Sequence, residues 1–596
     1  MTKFALTAAA LAAGLILGTN AIACSTVVVG KNASATGNIL VGHNEDNDSR
    51  IITSQYWVPA ADHPAGEVIE YEPDAAKIPQ VPHTYGYYWS QTLHPAGYSY
   101  SDGFVNENGV SLASNQSYDT YDKDEAVKDG GVGYAIRRIV AERAKNARDG
   151  VNIAIDLVKK YGYRAAGRVY TIADKDEAWQ LNLIRGGRYL AKKIGDNEVL
   201  YIANAYTLGP VDVNAPDVIA SPDLIEHAIK MGTYKPKKEG DYSDFNFREA
   251  YQTDARRDAD WIKDRSQTGW KYLTGKEIQN PNDFPYSITP SKKLTVEDVK
   301  NILRSHYAHE KRDNGFFHQS INDICNPGTF ESVVYEMVPN KNYTIGWRTS
   351  GMPSENPYIP FYPLAKPSAA QSFMTPDEAT RQQFHAKASS FDYKPELPLY
   401  TFLTNQALSD YLDGHKKLAK MISAQEKDWD KGRKSVEQQA ALAEKVGGTE
   451  KALNVLHAFN VNAYQQDANL VAKAKDALPK TNVLFLEESI SQGNDKAAKV
   501  AILGSKTFDA SKIDAKIVRI QPAHPTEDVE IIPDPATAQS VAMKDVNGDG
   551  IPDAVITFSG KQAAKYCVPE VTQDVYVYAK ANGKKIAGFD TIKVIK

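Results

Sequence analysis

Cys24 stands in a setting that gives one residue two chemical functions. It follows Ala21-Ile22-Ala23 and opens the run Ser25-Thr26-Val27-Val28-Val29-Gly30. Upstream, Lys3 supplies a small positive n-region, and Ala5 to Leu17 is an apolar stretch too short to span a bilayer. With small residues at 21 and 23, this is the layout of a secretory signal over 1–23. Cleavage after Ala23 makes Cys24 the first residue of an exported, periplasmic or extracellular chain. It then carries a thiol nucleophile and a free α-amine able to serve as the thiol's own base. The alternative on this stretch alone is a lipidated cysteine. Lipoprotein signals usually place Leu three residues before the cysteine, where this chain has Ala21, and a flexible tether usually follows.

The elements that must position this thiol are legible as patterns. Val27 to Val29 read as a buried strand closed by Gly30. Ala35-Thr36-Gly37-Asn38 is a turn, and Ile39 to Gly42 a second strand ending in a polar loop, His43-Asn44-Glu45-Asp46-Asn47, within reach of the thiol. Phe104 to Ala113 is a strand–turn–strand around Asn108-Gly109. Residues 133–160 carry helical spacing broken near Asp149-Gly150. Strands then follow at 169–173, 178–183 and 199–204. Strands, helices and strands in succession predict an α+β layered fold with mostly antiparallel sheets. A helix over 294–309 starts at Thr295 as N-cap, and Val333 to Met337 returns to strand. Thr375-Pro376-Asp377-Glu378 begins a helix-rich part with blocks at 401–428, 434–446 and 450–478. Short strands after about 485 predict an all-β sandwich module to 596. Tyr85 to Trp89 suits either the wall of a polar cleft or an amphipathic surface.

Removing 23 of 596 residues leaves 573, enough for two to four domains. Charge is nearly balanced, with 69 Lys+Arg against 74 Asp+Glu, and no basic run argues for nucleic acid. Beyond the signal no apolar run is long enough for a transmembrane segment. Cys24, Cys325 and Cys567 are an odd number, which leaves at least one thiol outside any disulfide and a Cys325–Cys567 pair open. Cys325 reads as structural, not as a second nucleophile. His306-x-x-His309 lacks the intervening Glu and a third ligand of a zinc site. In the β module, Asp545-x-Asn547-x-Asp549-Gly550-Ile551-x-Asp553 spaces oxygen donors at alternate positions, with Gly sixth, as a calcium loop does. Position twelve is Ile556 where an EF-hand has Glu, so the expectation is a structural Ca²⁺ in a β-module loop. Asp545, Asn547, Asp549, the Ile551 carbonyl and Asp553 would be its ligands. No cofactor is expected for catalysis.

The run from Cys24 through Gly37-Asn-Ile-Leu-Val-Gly-His-Asn-Glu-Asp46 resembles the opening of the dipeptidase A family of N-terminal-nucleophile cysteine peptidases. Further blocks agree in order: Asn106-Glu-Asn-Gly-Val110, Gly131-Val-Gly-Tyr134, Ala203-Asn-Ala-Tyr-Thr-Leu-Gly209, Ile324-Cys-Asn-Pro-Gly-Thr329 with Glu331-Ser332, and Pro357-Tyr-Ile-Pro360. The resemblance covers about 24–480. It implies a four-layer αββα sandwich and hydrolysis of dipeptides or short peptides through a thioester on Cys24. It also implies an oxyanion-hole role for Asn204 and, for Asp46, a hold on the N-terminal amine. His43 stands where the relatives usually carry Arg; it could still donate a hydrogen bond near the thiol. Two other readings stay open: an acyl-amide hydrolase on the same fold, and a surface-anchored lipoprotein binding module. The β module could contact a surface or a polymer.

Overall fold

A computed structural model describes residues 24–46, 54–93, 99–117, 119, 127–278, 280–306, 322–326, 328–365, 412–477, 482–522, 536–565, 567, 569–570 and 572–596. The expected signal over 1–23, the helix start at 375–378 and His309 lie outside these residues.

Two antiparallel sheets form the centre. The first has six strands, in the order β3 (Val199–Ile202), β1 (Ser25–Val29), β2 (Ile39–Asp46), β4 (Thr329–Met337), Ile345–Ser350 and Ile359–Phe361. The second has eight, running from Val218–Ala220 through Tyr189–Ile194, Ala178–Leu183, Arg168–Ala173, Ser111–Gln116, Ser99–Asn106 and Tyr87–Leu93 to Ser54–Val58. Side chains alternate faces along a strand, and three cores follow from that alternation. Val28, Ile39, Val41 and Val333 of the first sheet meet Tyr88, Val105, Ala113 and Val169 of the second. Behind the second sheet, α1 (Ala135–Arg143) and α2 (Ala147–Tyr161) cover Tyr87, Trp89, Phe104 and Trp179. Behind the first, α3 (Asp260–Thr274), α4 (Val296–Leu303), α5 (Leu412–Gly447) and α6 (Thr449–Ala477) cover Val27, Val29, Leu40, Val334 and Trp347. The layering is helix, sheet, sheet, helix, an α+β architecture. Sequence order carries the chain into the second sheet and back, and β2 becomes a central strand between β1 and β4.

Several expectations change in detail. The polar run from His43 to Asp46 is not a loop but the second half of β2, hydrogen-bonded on both sides. The helical break lies at 144–146, where the Asn146 side chain accepts from the Asp149 N–H and caps α2; Gly150 sits inside that helix. Asn is a strong N-cap, and here it outweighed the glycine as punctuation. Thr295 does cap α4 through a reciprocal capping box with Asp298, but the helix ends at Leu303. The strand Tyr189–Ile194 was missed. A single helix spans 412–447 where a break was expected near 430. Tyr87, Tyr88 and Trp89 are buried, Tyr88 between the sheets and the other two under α1 and α2, so they wall no polar cleft.

One glycine is set by packing. A Cβ on Gly42 would lie 2.4 Å from the Val299 side chain; its absence lets α4 press directly on β2. The chain from 482 to 595 forms two more sheets, one of four strands and one of five, around a core that includes Val500, Ile556, Phe558, Val575, Val577 and Ile592. No disulfide joins Cys325 and Cys567. The Cys325 thiol lies 3.2 Å from Ser354 Oγ, and the Cys567 thiol donates to the Ala563 carbonyl. Among the described residues no helix is long and apolar enough to cross a membrane.

Candidate active site

Cys24 heads β1, an interior strand of the first sheet, and is fully buried. Period-two alternation divides its surroundings. Thr26, Val28, Val41, His43 and Glu45 face the second sheet, and Cys24 shares their face: its Sγ lies 3.5 Å from Glu45 Oε1. His43, Glu45, Gly103, Ser111 to Ser114 and Glu331 line a cleft between the sheets. His43 Nε2 is 2.9 Å from Glu45 Oε2, and His43 Nδ1 is 2.8 Å from Thr26 Oγ1. Thr26 Oγ1 donates to Asn115 Oδ1 on the second sheet at 2.6 Å, tying the two walls together.

The opposite face carries a second set. Ser25, Asn44 and Asp46 point toward the helices. Asn44 Nδ2 donates to the Leu303 and Ile324 carbonyls. Asp46 Oδ2 accepts from Asn326 Nδ2 at 2.8 Å, whereas its buried Oδ1 has no hydrogen-bond partner. Burial raises the Asp46 carboxyl to about 7; hydrogen bonds from Thr329 and Asn326 and the charge of Arg265 oppose that rise. The Cys24 thiol, within a chain that still carries residue 23, is pushed well above its ordinary value by burial first and then by the charges of Glu45 and Asp46.

Arg265 on α3 connects the parts. Fully buried, it donates to the Trp261 carbonyl (3.0 Å), the Cys24 carbonyl (3.0 Å) and Asn204 Oδ1 (3.1 Å). Asn204, just beyond β3, donates through Nδ2 to the Gln116 carbonyl at 3.0 Å. Since Oδ1 is held by Arg265, the amide orientation is fixed, and Nδ2 keeps a second N–H.

Of the residues expected from sequence, His43 lines the cleft and Cys24 lies buried at its edge against the lining Glu45, Asp46 lies across the sheet from them, and Asn204 is tied to Cys24 through Arg265. Thr26, Asn115 and Arg265 were not foreseen, and Glu45 was named only as a member of the polar run within reach of the thiol. Alternation from His43 would have placed Glu45 on the thiol's face; for Arg265, one arginine on a distant helix, the sequence offers no signal. In the β module, Asp545 accepts from the Gly548 and Gly550 N–H groups, and Asp549 Oδ1 from that of Ile551. Asp553 is turned inward, taking the N–H groups of Gly504 and Val546. Among the described residues the only acidic, His or Cys trio with donor atoms within 4.8 Å of one another is Cys24, His43 and Glu45, so the loop carboxylates do not converge at that spacing.

The chain belongs to peptidase family C69, whose model matches residues 23–389. It is similar to a probable dipeptidase of Latilactobacillus sakei, 28% identical over 280 residues that make up 45% of this chain and 58% of that protein. It is likewise similar to a probable dipeptidase B of Streptococcus pyogenes serotype M1, 26% identical over 331 residues, 51% of this chain and 64% of that protein. The chain thus spans about three-fifths of the length of these relatives. Two variants of a conjugated bile acid hydrolase from Clostridium perfringens align at 12% identity and a TM-score of 0.25, covering 56% of this chain and 90% of theirs.

Proposed function

We propose that the chain is an exported cysteine dipeptidase of the N-terminal-nucleophile type, activated by removal of residues 1–23. The observation that carries this reading is the buried, unpartnered Oδ1 of Asp46 beside the start of β1. A buried carboxylate oxygen without a donor costs free energy; the neutral α-amine of a freed Cys24 would supply the donor, and Asp46 would offset the charge that amine gains when it takes up a proton. The same amine is the base. It takes the Cys24 proton as Sγ attacks the substrate carbonyl, and the second N–H of Asn204 stabilises the oxyanion. The ammonium returns its proton to the leaving amine, the C–N bond breaks, and the C-terminal amino acid departs. Water then hydrolyses the thioester. An α-amine near pH ~8 and a thiol near ~8.5 make the first transfer nearly balanced.

Glu45 favours dipeptides over N-acylated amides. Its carboxylate lies 3.5 Å from Sγ, and the free amine of an N-terminal residue lies only two bonds from the carbonyl under attack. A charge-assisted hydrogen bond contributes about 1.5–3 kcal/mol, or roughly 10–100-fold. Dipeptides are therefore expected to be cleaved with a kcat/KM that much above their N-acetyl counterparts, and Glu45→Gln should erase most of the difference. Equal rates on both, or a preference for N-acyl amino acids, would favour the acyl-amide hydrolase instead. Intact mass of the mature N-terminus tests the lipoprotein alternative, since a diacylglycerol in thioether linkage to Cys24 adds its mass and consumes the nucleophilic thiol.

Calcium binding by the β module is part of the same proposal. Gly548 and Gly550 adopt positive φ, winding the backbone around the exposed side chains of Asp545, Asn547 and Asp549. These three and the Ile551 carbonyl suit a hard cation. Asp553 already takes two backbone N–H groups, though each oxygen keeps a second lone pair. Calorimetric titration of the full-length protein is expected to show one calcium site, lost in Asp549→Ala. The absence of both heat and thermal stabilisation by calcium would remove it. A surface or polymer partner for the module is a further part of the proposal, tested by co-sedimentation with cell-wall and polysaccharide fractions.

A further inference from the structure

We infer that Cys24, His43 and Glu45 form an inhibitory site for a thiophilic divalent cation, zinc above all, in the catalytic cleft. Three observations lead there. The first is composition: thiol, imidazole and carboxylate are the donors zinc takes, at about 2.0–2.3 Å. Around a tetrahedral ion such donors stand about 3.3–3.7 Å apart. Here Sγ and Glu45 Oε1 are 3.5 Å apart, Glu45 Oε2 and His43 Nε2 are 2.9 Å apart, and one donor atom of each residue lies within 4.8 Å of the others. Small side-chain rotations suffice to converge them. Calcium and magnesium, which prefer all-oxygen shells, do not fit this set.

The second observation fixes the histidine tautomer. Thr26 gives its only hydroxyl proton to Asn115 Oδ1, so toward His43 its oxygen can only accept. Nδ1 must then carry the proton of that 2.8 Å contact, which leaves the lone pair of the neutral ring on Nε2, facing Glu45. A hydrogen bond on the far nitrogen is what orients a metal-binding histidine. The third observation is electrostatic. A carboxylate oxygen and an imidazole lone pair 2.9 Å apart repel unless a cation lies between them. A metal ion, drawing also on the thiolate, supplies that cation.

In the processed chain the Cys24 α-amine adds a fourth donor and closes a five-membered N,S chelate with Sγ. Coordination releases the thiol proton to solvent, leaves the imidazole neutral and occupies both the nucleophile and its base, so the ion inhibits. The inhibitory consequence rests on the dipeptidase reading; the binding does not.

The test uses the processed, chelator-stripped protein, titrated with Zn²⁺ by calorimetry and with Co²⁺ by absorption. One ion per chain is expected, with a thiolate-to-cobalt charge-transfer band. His43→Arg retains a cation but offers no lone pair, and Glu45→Gln removes the carboxylate. Each is expected to weaken binding on the order of 100-fold, since loss of even an outer partner costs 10–100-fold. Circular dichroism confirms that each variant folds. Unchanged affinity in both folded variants would mean that the chelate at Cys24 alone holds the ion, and the site would be overturned. So would the absence of the band in the unaltered protein. Dipeptide hydrolysis is assayed separately in chelator. Hydrolysis without metal binding removes this inference alone, and binding without hydrolysis removes the functional reading alone.

Discussion

Cys24→Ala is expected to abolish hydrolysis with the fold intact, because in the proposed mechanism the lost Sγ is the attacking atom and, among the described residues, no other thiol borders the cleft. Cys24→Ser should keep at most a trace, since a hydroxyl is far harder to deprotonate than a thiol with an amine of pKa ~8. A sharper version keeps the thiol and removes the base. One Ala left in front of Cys24, verified by mass spectrometry, turns the amine into an amide that accepts no proton. That protein should fold and stay inactive until trimmed. The direction of the Cys24 shift in the uncleaved chain is in keeping with this: burial first, and then the charges of Glu45 and Asp46, push the thiol up. Full activity with the extra residue in place would end the N-terminal-nucleophile mechanism.

Asn204→Ala should lower kcat by ~10²–10³, the usual cost of one oxyanion-hole donor, with little change in KM. The substitution also removes acceptor Oδ1 from Arg265 and a donor from the Gln116 carbonyl, so a modest loss of thermal stability should accompany it. Steady-state kinetics on a dipeptide decide the matter. A raised KM at unchanged kcat would make Asn204 a substrate-binding residue and leave the oxyanion to another donor.

How much of this was readable beforehand depends on the distance over which residues cooperate. The Val27–Val29 run, the turn at 35–38 and the Asn108-Gly109 hairpin are local, and sequence pattern found them. The polar tail of β2 was misread because four consecutive polar residues look like a solvated loop. As an interior strand it keeps its backbone paired and sorts those residues by parity, His43 and Glu45 into the cleft, Asn44 and Asp46 toward the helices. The position of Asp46 behind the sheet was thus implicit in the spacing, once the run was taken as strand. Arg265 was not, because its partners at 24 and 204 meet only through the fold.

The helical hairpin α5–α6 has a bearing on how this protein can be divided. The family match stops at residue 389, yet Ala440, Ala452, Leu456 and Phe459 fill the same core as Val334, Trp347 and Tyr358. Asn460 also clasps both backbone groups of Tyr362, and Glu426 binds Arg304 and the Tyr358 N–H. The limit of recognisable ancestry is therefore not the limit of the autonomous folding unit. A chain cut at 389 would keep Cys24, His43, Asp46, Asn204 and Arg265, and α3 and α4 with them, yet leave the part of the first sheet that α5 and α6 cover exposed and prone to self-association. Any exchange of parts between relatives has to carry the hairpin along with the trunk it seals.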